Sequence, residues 1–304
     1  MKIIITGATG WLGRNSIRFF LNSGLNLENL ILIGSHKRDI EIFDGVRVSV
    51  KTFDEVINST GLFNFYGVVH LAYLTRDKIS NNINEYVNEN SKITNQVMQI
   101  LKLKPKWFTY VSSGAIYSNY LNQTLESDSK SNPYGYLKHQ DELKFDQYCS
   151  DNSINISIGR LWGASGKDFI NPSKYAFGEF ILNSLANEDI TIESPRAVFR
   201  KYCDSEQFME ICIKTAQTWP RTIFNSSGEL FEIEDLAKLV AKTLNSKIKV
   251  SRKYFEANIV PDDYYSRDED FIRLAKLLDI KLLDTKEQIL KTSDYLKLSV
   301  NHLT

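Results

Sequence analysis

The run Thr6-Gly7-Ala8-Thr9-Gly10-Trp11-Leu12-Gly13 constrains the fold more than any other stretch of this 304-residue chain. It follows residues 2–5, a β-branched run that reads as a buried strand, and it opens an amphipathic stretch that continues through 16–21. Three glycines at this spacing say little alone; between a strand and a helix they gain force. Gly7 permits a tight turn, Gly10 lets backbone amides approach a pyrophosphate, and Gly13 lets the helix pack close to the strand. The free N–H groups and partial positive charge of a helix start suit phosphates. The competing reading is a glycine-rich turn that holds nothing; the flanking elements favour a dinucleotide site.

Further along, short apolar runs alternate with longer amphipathic ones, the pattern of βαβ units. Strands are expected at 30–33, 46–50, 67–71, 108–111 and 154–158, with a turn-like region at 64–67. Helices are expected over 84–103, stopped by Pro105, and over 133–149, with Pro133 in the first turn. The predicted fold class is α/β, a Rossmann-type doubly wound parallel sheet with a smaller C-terminal substrate-binding lobe. The rhythm breaks after about residue 161; residues 163–200 read as irregular, followed by helices at 232–244 and 268–278. The expected domains are 1–165, rejoined by about 198–226, and a second lobe of 166–197 and 227–304.

The end of the second strand selects the dinucleotide, because an acid there bonds the ribose 2′-OH of NAD. Here Gly34 holds that place, followed by Ser35, His36, Lys37 and Arg38, with no carboxylate before Asp39. Hydroxyl and cationic groups would hold a 2′-phosphate through charge-assisted hydrogen bonds, and Arg14 adds a cation. NADP(H) is the expected cofactor and NAD the alternative; a merely solvated basic loop is the competing reading.

Composition closes other routes. Thirty-seven Lys plus Arg balance 37 Asp plus Glu, so the chain lacks the bulk positive field that draws proteins to nucleic acid or anionic membrane. Cys149, Cys203 and Cys212 stand far apart, which argues against a zinc site or a disulfide framework and suits a reducing compartment. No run resembles a secretory leader or approaches the roughly 18 apolar residues of a membrane span. The acidic residues at 262–263 and 268–270 read as solvated helix-start charge, and no metal is expected. A soluble cytoplasmic protein is expected.

Tyr134 and Lys138 lie four apart in the first turns of the 133–149 helix, hence on one face. A nearby ammonium favours the phenolate and so lowers the phenol's pKa, making it an acid–base at neutral pH. Ser113, at a strand end in Val111-Ser112-Ser113-Gly114-Ala115-Ile116-Tyr117, can donate to a substrate oxygen. Strand ends of a doubly wound sheet converge on the ligand crevice, where the three can meet.

At this point the chain resembles the extended short-chain dehydrogenase/reductase family over nearly its whole length. The match rests on Thr6–Gly13, His70-Leu71-Ala72, Asn90 with Thr94, the Ser112–Tyr117 segment, and Tyr134 with Lys138. Arg160 with Gly166, Arg200-Lys201-Tyr202, and Asn225–Gly228 followed by 233–239 look like its later landmarks. The resemblance implies that Tyr134 is the general acid–base, that Lys138 binds the nicotinamide ribose and tunes Tyr134, and that Ser113 polarises the reacting C–O group. It implies a cofactor site built from Gly7, Thr9, Gly10, Trp11, Leu12, Gly13, Arg14, Ser35, Lys37, Arg38, Leu71, Ala72, Tyr73, Asn90, Tyr134 and Lys138. A nucleotide-sugar would then meet Ser113, Gly114, Tyr73, Trp162, Lys174 and Arg200.

Departures from the family pattern narrow the chemistry. Gly114 and Ala115 stand where dehydratases of this kind carry an Asp-Glu pair, and Gly114 where epimerase/reductases of the fucose-synthase type carry a Cys. Hydride transfer remains, and the missing acid at position 34 points to an NADPH-dependent reductase of a 4-keto-6-deoxy-hexose nucleotide. A nucleotide-sugar 4-epimerase holding NAD tightly is the alternative in chemistry; a non-catalytic dinucleotide-sensing protein is the alternative of another class. Gly163 replaces a common Asn, Asp204 a His or Tyr, Ile93 a Gly, and Tyr73 a small residue; Tyr73 either reshapes the sugar pocket or fills space. His70 reads as structural, and Arg200 as a diphosphate ligand or half of a salt bridge. The helices at 84–103 and 133–149 are those that relatives use to dimerise, so a homodimer is expected.

Overall fold

The structure, a computed structural model, describes residues 2–43, 45–59, 65–79, 82–119, 124–125, 131–244, 247–267 and 269–301. Asn64 and Asp268, which figure in the expectations above, lie outside the described residues. The chain divides into two compact units, Met1–Arg160 with Met209–Phe224, and Leu161–Phe208 with Asn225–Thr304.

In the first unit, β1 (Lys2–Thr6) leads through the glycine turn into α1 (Trp11–Asn22) and β2 (Leu30–Ile33). An antiparallel pair follows, β3 (Arg38–Phe43) and β4 (Val46–Lys51), then α2 (Phe53–Ser59), β5 (Phe65–His70) and α3 (Ile83–Leu101). Next come β6 (Trp107–Ser113), a small hairpin of β7 (Tyr117–Asn119) and β8 (Thr124–Leu125), α4 (Pro133–Asp151) and β9 (Asn155–Leu161). Strands β2 and β6 are buried at every position, as parallel strands covered by helices on both faces must be.

The second unit contains β10 (Ala164–Ser165), α5 (Ala176–Ala186), β11 (Ile190–Ile192), β12 (Val198–Lys201) and β13 (Cys203–Asp204). The unit boundary falls within α6 (Ser205–Thr218), and β14 (Arg221–Asn225) lies in the first unit up to Phe224. The rest comprises β15 (Leu230–Glu232), α7 (Ile233–Thr243), β16 (Val250–Arg252), β17 (Asp262–Tyr264), α8 (Asp270–Leu277) and α9 (Thr285–Asn301).

Among the described residues the main sheet has the order β14-β9-β6-β5-β1-β2-β4-β3, with parallel pairing of β1 to β2 and to β5, β2 to β4, and β5 to β6. The order reverses at β1 and β5, so the loops after Thr6 and His70 flank the switch point where such sheets bind ligands. The doubly wound expectation holds.

Three stretches differ from the sequence reading. Residues 38–43, where the sequence reading placed no element, form β3, whose Ile40 and Ile42 alternate with charged neighbours; Ile42 is buried. The region 163–200 is not irregular: it carries α5, an apolar helix packed against α7 and α9. Residues 198–201, assigned above to the first domain, pair with β15 and β17 and so belong to the second unit.

Candidate active site

The glycine turn is shaped by close approach. Gly7 has φ +66°, and a Cβ on it would lie 2.7 Å from the Ala72 amide nitrogen. A Cβ on Gly13 would lie 2.3 Å from the Gly7 carbonyl. Both positions therefore exclude a side chain, while Gly10 begins α1 with no capping side chain and no acid in the first turn. A diphosphate fits such an uncapped helix start. Thr6 ties the turn to the neighbouring strand: its Oγ1 accepts from Leu71 N and Ala72 N, both at 3.1 Å, and pairs with His70 Nδ1 at 2.8 Å. Having accepted twice, the hydroxyl donates to Nδ1, which leaves the ring proton on Nε2. Burial first, and then the Lys138 charge, hold His70 well below the usual imidazole range, so it is neutral and structural.

At the end of β2, Gly34 is closely packed by side chains. A Cβ on Gly34 would lie 2.8 Å from Val50 Cγ1 and 3.5 Å from Thr9 Cγ2. Arg14 and Lys37 are engaged with the protein. Arg14 donates to the Ile42 carbonyl at 2.8 Å and the Glu41 carbonyl at 3.3 Å, pinning α1 to β3. Lys37 pairs with Glu55 at 3.2 Å, and Arg38 sits exposed in β3 opposite Val50. Ser35 is exposed; Trp11 and Leu12 are half-buried in the first turn of α1.

Ser113 ends β6, buried, with its Oγ accepting from Ala115 N at 3.1 Å. The start of α4 is pressed against this turn. Asn132 caps the helix by accepting from Gly135 N at 3.0 Å and donates Nδ2 to the Ala115 carbonyl at 2.8 Å. A Cβ on Gly135 would come within 1.9 Å of that carbonyl, so only glycine lets α4 approach here. Tyr134, half-buried, directly precedes Gly135 at this approach; Gly114 is buried. Deeper along the helix, Glu142 holds Arg160 through two parallel bonds of 3.0 and 2.7 Å, and Arg160 donates to Tyr117 Oη at 2.7 Å. Removing one partner of a buried pair of this kind costs roughly 3–5 kcal/mol.

Lys138 is buried and donates to the Val111 carbonyl at 2.8 Å. Its ammonium lies 3.8 Å from the centroid of the Tyr73 ring and 4.7 Å from that of Tyr110. Burial pushes its pKa down, opposed by the charges of Asp141 and Glu142. Asp141, one turn further along α4, is buried with Thr94 Oγ1 donating to it at 3.0 Å; burial pushes its carboxyl above the usual range. Tyr73 packs edge-on to Tyr134 with centroids 5.9 Å apart. Its hydroxyl is buried without a hydrogen bond of ordinary geometry, and burial, then the Asp141 charge, raise its pKa strongly. Asn90, expected at the cofactor, clamps the loop after β5: its Oδ1 accepts from Leu74 N at 2.9 Å, while Tyr86 Oη donates to the Leu74 carbonyl at 2.7 Å. Asn132 and Asp141 escaped the sequence reading; Asn immediately before Pro133 was a legible cap signal, whereas a lone Asp in a helix carries none.

In the second unit, Trp162 is buried and donates Nε1 to Asn225 Oδ1 at 2.9 Å. Arg200 is engaged by Asp262 through Oδ2 at 3.1 Å and its carbonyl at 2.8 Å, and lies over Tyr264. Lys174 is exposed. Among the described residues no helix is long and apolar enough to cross a membrane, and no group of His, Cys, Asp and Glu is placed to hold a metal ion.

Comparison with known proteins agrees with this architecture. The NAD dependent epimerase/dehydratase family matches residues 3–225. The chain belongs to that family. A curated UDP-glucose 4-epimerase of Caenorhabditis elegans is 27% identical over 193 residues; the match covers 55% of each, so this family member spans about half the length of that relative. A crystal structure of a UDP-glucose 4-epimerase superposes with TM-score 0.80 at 15% identity, covering 99% of both chains. The UDP-N-acetylglucosamine 4-epimerase of Bacillus cereus gives 0.78 at 18% identity, covering 98% of this chain and 99% of that one. The UDP-glucose 4-epimerase of Brucella ovis, solved in complex with NAD, gives 0.77 at 12%, covering 97% and 98%. At such identities these structures establish the fold.

Proposed function

We propose that this chain exchanges hydride with a nucleotide-activated sugar, and that 4-epimerisation fits it better than the keto-sugar reduction expected from the sequence. One observation carries the reading. The cap of α4 is bonded into the turn after Ser113, which brings a phenol, a hydroxyl and a buried lysine to the end of β6, in the unit whose glycine turn lies uncapped. The similarity to 4-epimerases among relatives and neighbours supports the choice of reaction.

Gly7, Gly10 and Gly13 would cradle the diphosphate of a nicotinamide dinucleotide, and Lys138 would hold its nicotinamide ribose; the bound ring supplies a reversible hydride acceptor. Tyr134 takes the proton of the sugar 4-hydroxyl as the carbon is oxidised, then returns it after the ketone has presented its other face. Ser113 steadies the same oxygen by hydrogen bonding. With Gly114 and Ala115 after Ser113, no side chain there can take the proton that dehydration requires. The absence of an acid at position 34 favours a second reading, NADPH-dependent reduction of a 4-keto sugar.

A panel of UDP-, GDP-, CDP- and dTDP-hexoses, followed by NMR with and without added dinucleotide, separates the two. Epimerisation yields the C4 epimer with no net nicotinamide turnover. Reduction consumes one NADPH per product. Neither outcome with any sugar, despite dinucleotide binding, would favour a sensor. The homodimer rests on resemblance alone, since among the exposed large apolar residues only Ile83 and Leu143 lie on α3 and α4; sedimentation decides it.

A further inference from the structure

We propose that Tyr73 is a plug in the nicotinamide-ribose position: its ring covers the Lys138 face that a dinucleotide needs, and it must turn away before one binds. This rests on the reading just given.

The backbone beside Tyr73 borders the glycine turn, since Ala72 N would meet a Gly7 Cβ at 2.7 Å. From there the side chain reaches Lys138, so the phenol spans the interval between the phosphate cradle and the lysine. An ammonium has three donors and no other way to engage a ribose hydroxyl. One donor of Lys138 goes to the Val111 carbonyl at 2.8 Å, and the Tyr73 and Tyr110 rings take up the space at 3.8 and 4.7 Å. The edge-on contact with Tyr134 extends the cover toward the proposed acid–base.

The motion this requires is a side-chain rotation. Asn90 and Tyr86 fix the Leu74 backbone from behind, and Thr6 fixes Leu71 and Ala72, so the loop itself is held on both sides of Tyr73. The Tyr73 hydroxyl is buried beside Asp141, and it gives up that contact on leaving. Departure is opposed further by the attraction of the cation for the ring face, which is strong for a desolvated ammonium. Residue 73 thereby sets how tightly the dinucleotide is held without touching its phosphates.

The test is titration of NADH and NADPH, by nicotinamide fluorescence, into the wild type, Tyr73→Ala, Tyr73→Phe and Tyr73→Leu. Removing the ring should tighten binding about tenfold, while Tyr73→Phe, which keeps it, should stay within about threefold of wild type. Tyr73→Leu keeps apolar bulk but lacks the ring, and stands in if the alanine variant fails to fold; it too should bind more tightly than wild type. If the wild type binds a dinucleotide and both ring-less variants bind equally or more weakly, the plug is refuted and the dinucleotide reading stands. If no variant binds either dinucleotide, both fall together.

Discussion

The two ends of the proposed cradle are made in opposite ways. At the glycine end the chain removes matter: side chains are absent where Gly7 and Gly13 press on backbone, and the helix start carries no cap. At the lysine end it adds matter: Tyr73, Tyr110 and Asp141 crowd a buried ammonium. The first arrangement is ready for a ligand as it stands. The second satisfies itself and must be opened. A buried charge that lacks a ligand needs some other partner, and here a ring face and a carboxylate provide it.

The largest effect that would sharpen this contrast is on turnover. Tyr134→Phe should lower the rate by about 10²–10⁴-fold while leaving the melting temperature and dinucleotide affinity near wild type. A variant that kept its rate would remove the phenol from the chemistry. Next is the glycine end. Gly13→Val should destabilise the fold by roughly 1–3 kcal/mol in urea unfolding and abolish dinucleotide binding, because its Cβ has nowhere to go. An unchanged midpoint would mean that the turn is looser than described.

The lysine end should reveal itself through pH. Burial holds Lys138 below its usual 10.5, so the unfolded chain binds more protons as pH rises from neutral toward that value. Stability contributed at this site therefore grows with rising pH. Comparing urea unfolding at neutral and alkaline pH, Lys138→Met should erase more than about 1 kcal/mol of that rise. Equal pH slopes for variant and wild type would show an ammonium at ease in its site. The smallest effect is expected at Arg14, whose guanidinium is spent on the carbonyls of β3. Arg14→Gln should shift the NADPH-to-NADH affinity ratio by less than about threefold; a larger shift would restore this residue as a phosphate ligand.

The first unit was legible because its strands are continuous apolar runs joined by periodic helices, and strands 30–33 and 46–50 fell where expected. β3 was hidden by its own charges. Asp39 and Glu41 break its apolar run, although the alternation with Ile40 and Ile42 is that of a strand with one face buried. α5 was hidden by the opposite excess: in AFGEFILNSLA apolar residues run nearly all round, so the helical period fades. Tyr134, Lys138 and Ser113 could be named from spacing. Asp141 could not, since an acid three residues after a lysine reads as solvated surface until packing turns it inward to Thr94. Tyr73 stood out as bulky for its place, yet the direction of a side chain is a rotamer choice that sequence does not record.

The most direct test of the chemistry follows a deuterium atom. A UDP-hexose labelled at C4, incubated with the protein and a catalytic amount of NAD, should yield the C4 epimer with the label still on that carbon. Loss of the label to solvent would contradict hydride exchange at C4, and its appearance on the dinucleotide with no epimer formed would contradict epimerisation.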